Sequence, residues 1–173
     1  DKFDYKFDFP DNTSLSIVCS NRIPNAKEVL QTNVADGDRL LELVFPGREK
    51  VYIKEGESVK KGQTWMSFNT NDRTDAIKFF EDDSGFFIFS PYDLIRTDMA
   101  NLSVEDRQKS MSEIPMDTLQ RDSLHAIGLR NLINIEGTQI MVSTIHPRAK
   151  LEIIPSDDAD LPDAFELTLS FAE

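Results

Sequence analysis

The chain has 173 residues and carries 31 acidic against 19 basic side chains, a formal net charge of −12. That excess argues against sequence-independent binding to nucleic acid or anionic membrane, since both need a basic surface. With 39% hydrophobic and 29% charged residues, the composition suits a folded protein of one ordinary domain or two small ones, and no run of 18 apolar residues occurs that would span a membrane.

Phe3, Tyr5, Phe7 and Phe9 alternate with Asp4, Lys6 and Asp8, which predicts a half-buried strand with one aromatic face. Pro10-Asp11-Asn12 ends it with turn chemistry. Leu15, Ile17 and Cys19 alternate with serines, a second strand that pairs with the first as a hairpin. Cys19 is the only cysteine, so no internal disulfide forms, and its apolar neighbours make it a small buried hydrophobe. Ala26 to Leu30 fits one helical turn. Ala35 to Asp38 reads as a turn, and Arg39 to Phe45 as a strand stopped by Pro46-Gly47.

Val51-Tyr52-Ile53 is β-branched and aromatic, hence a short strand. Two glycine turns follow, at Glu55-Gly56-Glu57 and Lys60-Lys61-Gly62-Gln63, each able to take a positive φ. Thr64 to Phe68 is the next strand and Ala76 to Phe80 another. Glu81 to Gly85 is an acidic turn before an apolar strand, Phe86 to Phe89, expected to be buried on both faces. Ser103-Val104-Glu105-Asp106 has a capping-box pattern, which predicts a short polar helix to about Met111, broken at Ile114-Pro115. Asp117 caps a second expected helix running to Ile127, with Gly128 as its stop. The chain then returns to β: Thr138 to Ile145, a turn at His146-Pro147-Arg148, and Ala149 to Ile154. An acidic loop, Asp157 to Asp163, precedes a last strand in which Phe165, Leu167, Leu169 and Phe171 alternate with polar residues. Its likeness to the first strand suggests that the two pair.

These elements predict a mainly β protein, a β-sandwich or barrel-sandwich-like body with a short helical insertion. Residues 1–95 form a β domain, 96–134 the helical insertion or linker, and 135–173 complete the same body. The run Glu55-Gly56-Glu57-Ser58-Val59-Lys60-Lys61-Gly62-Gln63 resembles the E-G-D-x-V-x-x-G-Q turn of the biotinyl/lipoyl-like domain family, over about residues 51–90. The resemblance implies a barrel-sandwich hybrid with an exposed hairpin tip at Asn69 to Arg73 and with the Trp65 side chain at a core position of its strand. Where carrier members have their modified lysine this chain has Asp72, and an aspartate cannot form the amide to lipoate or biotin. Periplasmic adaptors with this fold carry a coiled-coil hairpin between two half motifs, and no such hairpin separates Gly62 from Gly85.

The chemistry-bearing residues are few. His125 and His146 have no metal-ligand spacing, no G-x-S-x-G elbow is present, and no Walker or G-x-G-x-x-G loop occurs. Asp157 to Asp163 lacks the glycine and closing glutamate of an EF-hand and reads as a solvated loop. No catalytic residue, metal ligand or cofactor is assigned. The expected function is a non-catalytic β module for protein–protein interaction or structural assembly, with Asn71, Asp72, Arg73 and Trp65 as candidate partner-binding residues. The alternatives are an acyl or biotinyl carrier modified at Lys78, and a hydrolase using His125 or His146. The partner is expected to be a protein, without nucleic acid and without membrane insertion. A chain that begins Asp1-Lys2 is expected to be a processed product or part of a longer protein, cytoplasmic or exported after signal removal.

Overall fold

A computed structural model describes residues 3–110, 113–135 and 137–172. In chain order the strands are β1 (Phe3–Asp8), β2 (Ser14–Ile23), β3 (Lys27–Thr32), β4 (Asp38–Val44), β5 (Lys50–Lys54), β6 (Ser58–Lys61), β7 (Thr64–Phe68), β8 (Ala76–Asp82), β9 (Gly85–Phe89), β10 (Leu94–Asp98), β11 (Asp117–Leu119), β12 (Leu124–Ala126), β13 (Asn131–Ile135), β14 (Thr138–Ile154) and β15 (Ala164–Ala172). Helical structure among the described residues is limited to two 3-10 turns, Pro46–Arg48 and Asp106–Gln108. The protein is therefore mainly β, and no helix among the described residues is long and apolar enough to cross a membrane. The chain divides into two compact units, Thr32–Ala149 and the residues on either side of it.

The unit Thr32–Ala149 is a sandwich. One sheet has the order β11-β10-β13-β14-β4-β5 and the other β12-β9-β8-β7-β6. Leu41, Leu43, Ile53, Leu94, Ile133 and Val142 from the first meet Met66, Phe68, Ile77, Phe79 and Ile88 from the second in one buried cluster. The spacing of two within β4, β7 and β8 puts each of these sets on a single face, and burying them is what holds the two sheets together. Gly56 and Gly62 take φ of +84° and +60°, the left-handed region that their turns require.

The other unit holds a three-stranded antiparallel sheet, β1-β2-β15, and the pairing of β3 with β14. The first and last strands do not pair with each other; each pairs with β2. The Arg22 guanidinium binds Asp163, its Nε donating at 2.8 Å, and Asp163 also accepts the backbone N–H of Asn25. These two contacts fix the start of β15 beside the end of β2.

Several local expectations are corrected. Residues 117–127 are not a helix but two short strands, β11 and β12, separated by a turn. Leu94 pairs with Leu119 and Phe87 with Ala126, so strand partners set this segment's conformation over its weak helical spacing. The capping box at Ser103 closes only the 3-10 turn: Ser103 Oγ accepts from Asp106 N at 3.0 Å. The helix end expected near Met111 lies outside the described residues. Ala26 to Leu30 is extended, within β3. His146-Pro147-Arg148 does not end a strand, because β14 passes through it with a register shift between His146 and Ala149. Such a bulge tolerates the proline, which has no N–H to give the ladder. In β9 only Ile88 is fully buried, so that strand has one core face.

Gly37 lies against the same irregular part of β14. A Cβ added there would fall 2.7 Å from the Ala149 nitrogen and 2.8 Å from the Arg148 carbonyl carbon. Both are backbone atoms and cannot swing away. Gly37→Ala is expected to destabilise the protein by about 1–3 kcal/mol, read as a lower urea midpoint; an unchanged midpoint would contradict this packing.

Candidate functional site

Strands β7 and β8 run parallel, with Trp65 opposite Ala76 and Phe68 opposite Phe79. Residues 69–75 therefore cross back along the sheet, and the exposed hairpin tip expected there does not form. The crossover lies on the face of β7 and β8 that points away from the core. Ser67 Oγ donates to the Thr70 carbonyl at 3.5 Å, and Lys78 Nζ donates to Asn71 Oδ1 at 3.2 Å. The Arg73 guanidinium sits 3.9 Å from the Trp65 ring centroid, and Lys60 Nζ lies 5.8 Å from the same ring. Ser58 Oγ donates to Asp72 at 2.7 Å, and Arg73 donates twice to Asp75, at 2.9 and 2.8 Å. The hydrogen bonds from Arg73 are the main cause that holds the Asp75 carboxyl below its usual range.

Asn71, Asp72, Arg73 and Trp65 are thus brought together. Trp65 is half-buried rather than in the core, because its strand turns it to the outer face, where Arg73 covers it. The polar groups of the cluster bond to one another. Lys78 is only 8% exposed, and its amine lies 5.4 Å from the Phe89 ring centroid as well as on Asn71. A carrier lysine has to reach solvent, and this amine is folded under the crossover.

The histidines lie in different sheets. His125, in β12, bonds the Gln120 carbonyl at 2.8 Å. His146, in β14, bonds Glu42 Oε2 at 2.9 Å. Glu42, in β4, is 4% exposed and also receives Ser143 Oγ at 3.0 Å and Lys50 Nζ at 3.1 Å. Burial acts to raise its carboxyl pKa, but the hydrogen bonds from His146, Lys50 and Ser143 outweigh it, so the carboxyl lies below its ordinary value. Ser143 and His146 each bond this carboxylate, whereas a triad needs the serine on the histidine and the histidine on the carboxylate, so Glu42 here is a bonded anchor of the sheet. Among the described residues, no three His, Cys, Asp or Glu side chains are grouped to hold a metal ion. An open groove of ≈ 320 Å³ runs between the second glycine turn, Lys61 to Thr64, and Ile135, Thr138 and Ile140, but the Lys61 amine at its rim is paired with Glu49.

A broad apolar surface lies on the three-stranded sheet. The register places Phe3, Cys19 and Leu167 in one row, Tyr5, Ile17 and Leu169 in the next, and Phe7, Leu15 and Phe171 in the third. Directly opposed residues point the same way, so these nine share one face. Their neighbours Asp4, Lys6, Asp8, Ser14, Ser16, Thr168 and Ser170 share the other. The outer strands leave the apolar face exposed, Tyr5 at 59%, Leu169 at 58% and Phe171 at 76%, while in the middle strand Leu15 and Ile17 are half-buried and Cys19, in the first row, is fully buried. At one end Ser20 bulges out of register, its Oγ donating to the Glu166 carbonyl at 3.3 Å. Beyond the bulge the face ends in Arg22 opposite Phe165, with its ion pair to Asp163. The alternation in the first and last strands gave notice of two apolar faces. That they would join through β2 depends on sheet order, which alternation does not encode.

Comparison with protein-family models, with curated proteins and with solved structures returns no match to this chain.

Glu42 gives a pH-dependent prediction. Its folded pKa lies below the ordinary 4.5, so its contribution to stability is present above 4.5 and is lost as pH falls through the lowered value. Glu42→Gln is expected to lower stability by about 1–3 kcal/mol at neutral pH. The gap to wild type should narrow on acidification below 4.5 in urea titrations run against pH. A gap that does not change with pH would show that the charge contributes nothing.

Proposed function

We propose that this protein is a non-catalytic β module that docks another protein surface through the apolar face of β1-β2-β15. The observation that carries the reading is the exposure of that face. Taking roughly 200 Å² for each large side chain, the exposed fractions of Phe3, Tyr5, Phe7, Leu167, Leu169 and Phe171 sum to an open apolar area on the order of 650 Å². The largest patch on a typical monomer is about 300–600 Å², and larger ones mark interaction sites. The arrangement also has the anatomy of an interface, an uncharged centre bounded on one side by the Arg22–Asp163 ion pair.

The other features fit a supporting role. The Trp65–Arg73 cluster holds the crossover down on its sheet, with Asp72 bonded to Ser58, Arg73 to Asp75 and Asn71 to Lys78. His125 and His146 each have a separate partner in a separate sheet.

A photo-crosslinking side chain placed at Leu169 tests the reading, with Thr168 on the opposite face of the same strand as the control. In the cell of origin, protein adducts are expected from position 169 and not from position 168. Equal yields from both positions, or none from 169, would contradict docking through this face.

A further inference from the structure

We infer that the occupant of the β1-β2-β15 face is a second copy of this chain, stacked face to face so that two three-stranded sheets make one six-stranded sandwich. This rests on the docking reading above and names its partner. Three observations favour a second copy.

The first is charge. None of the nine residues on the face is ionised, while the charges of β1 point to the other side. In a chain of net charge −12, this is a surface on which two copies meet without opposing like charges. It also offers nothing to steer a charged foreign partner. The Arg22–Asp163 pair at its end is neutral as a unit.

The second is area. Two faces on the order of 650 Å² each would bury about 1,300 Å² in all, within the roughly 1,200–2,000 Å² of a standard stable interface. A two-fold dimer uses the same patch on both subunits, so the areas match without further assumption.

The third is the geometry of the sheet. Its middle strand contributes the shorter side chains Leu15, Ile17 and Cys19, and β1 carries the rings of Phe3, Tyr5 and Phe7 on one flank. A low central row beside a taller flank lets two such faces interlock at the ~10 Å spacing of stacked sheets. Edge-to-edge pairing through β15 would instead leave the apolar face open and double its width.

Sedimentation equilibrium on the full chain tests the inference, with Leu169→Glu on the face and Thr168→Glu on the opposite face. Wild type and Thr168→Glu are expected at the mass of two chains, and Leu169→Glu at the mass of one, with the same far-UV circular dichroism. If Leu169→Glu does not fold, Phe171→Glu, at the most exposed position of the face, takes its place. A wild type that stays at the mass of one chain overturns the inference, as does a dimer that Leu169→Glu and Phe171→Glu leave intact. Binding of an apolar dye then separates the two claims. A monomer that binds the dye, and loses that binding in Leu169→Glu, keeps the docking face and rejects the second copy. A monomer that binds no dye has its face covered within the chain, and both readings fail.

Discussion

Strand β2 sets the registers on which the account depends. Both β1 and β15 pair with it, and the two registers agree, so Phe3, Tyr5, Phe7, Leu15, Ile17, Cys19, Leu167, Leu169 and Phe171 fall on one side, with Val18 and Ala172 on the other. A slip of one residue in either pairing would turn a whole row of side chains to the polar face. The sheet therefore has one strongly apolar side, and the large side chains of its outer strands, Tyr5, Leu169 and Phe171, stand exposed on it. A sheet in this condition needs a partner layer.

The unit Thr32–Ala149 meets the same constraint internally. Its two sheets cover each other, and the buried cluster between them runs from Leu41 in β4 to Ile88 in β9. Glu42, the one buried carboxylate among its described residues, sits on the other side of β4 from Leu41 and Leu43, where His146, Lys50 and Ser143 satisfy it. The parallel step from β7 to β8 needs a return path, and residues 69–75 provide it while covering Ser67, Ala76 and Lys78. The segment that resembles a lipoyl-like tip in sequence is here tied to the sheet through Thr70, Asn71, Asp72 and Arg73.

What could be read from the chain follows from the range of the signal. Alternation over Phe3 to Phe9 and Phe165 to Phe171 is a local property, and it located β1 and β15. The glycine turns at Gly56 and Gly62 were legible for the same reason. The strands β11 and β12 have three residues each, too few to show a period of two, so Leu119, Leu124 and Ile127 suggested a helical face. The lipoyl-like resemblance implied a core position for Trp65, yet its ring belongs to the side that the crossover covers. Asn71, Asp72 and Arg73 were legible as candidate partner-binding residues, but their hydrogen bonds to Lys78, Ser58 and Asp75 depend on the crossover and could not be read from the chain. The open sheet face was hidden for a related reason: it joins residues near positions 5, 17 and 169, and only the strand order reveals it.

Hydroxyl-radical footprinting across a range of protein concentrations tests the central claim most directly, that an open apolar face is covered by a second molecule. Tyr5, Phe7 and Phe171 should be labelled at low concentration and become protected together as concentration rises. Tyr92, an exposed residue of the other unit, should be labelled equally throughout. Protection of Tyr5, Phe7 and Phe171 at every concentration would mean that the face is covered within the chain, and labelling that never declines would mean that no second copy binds there.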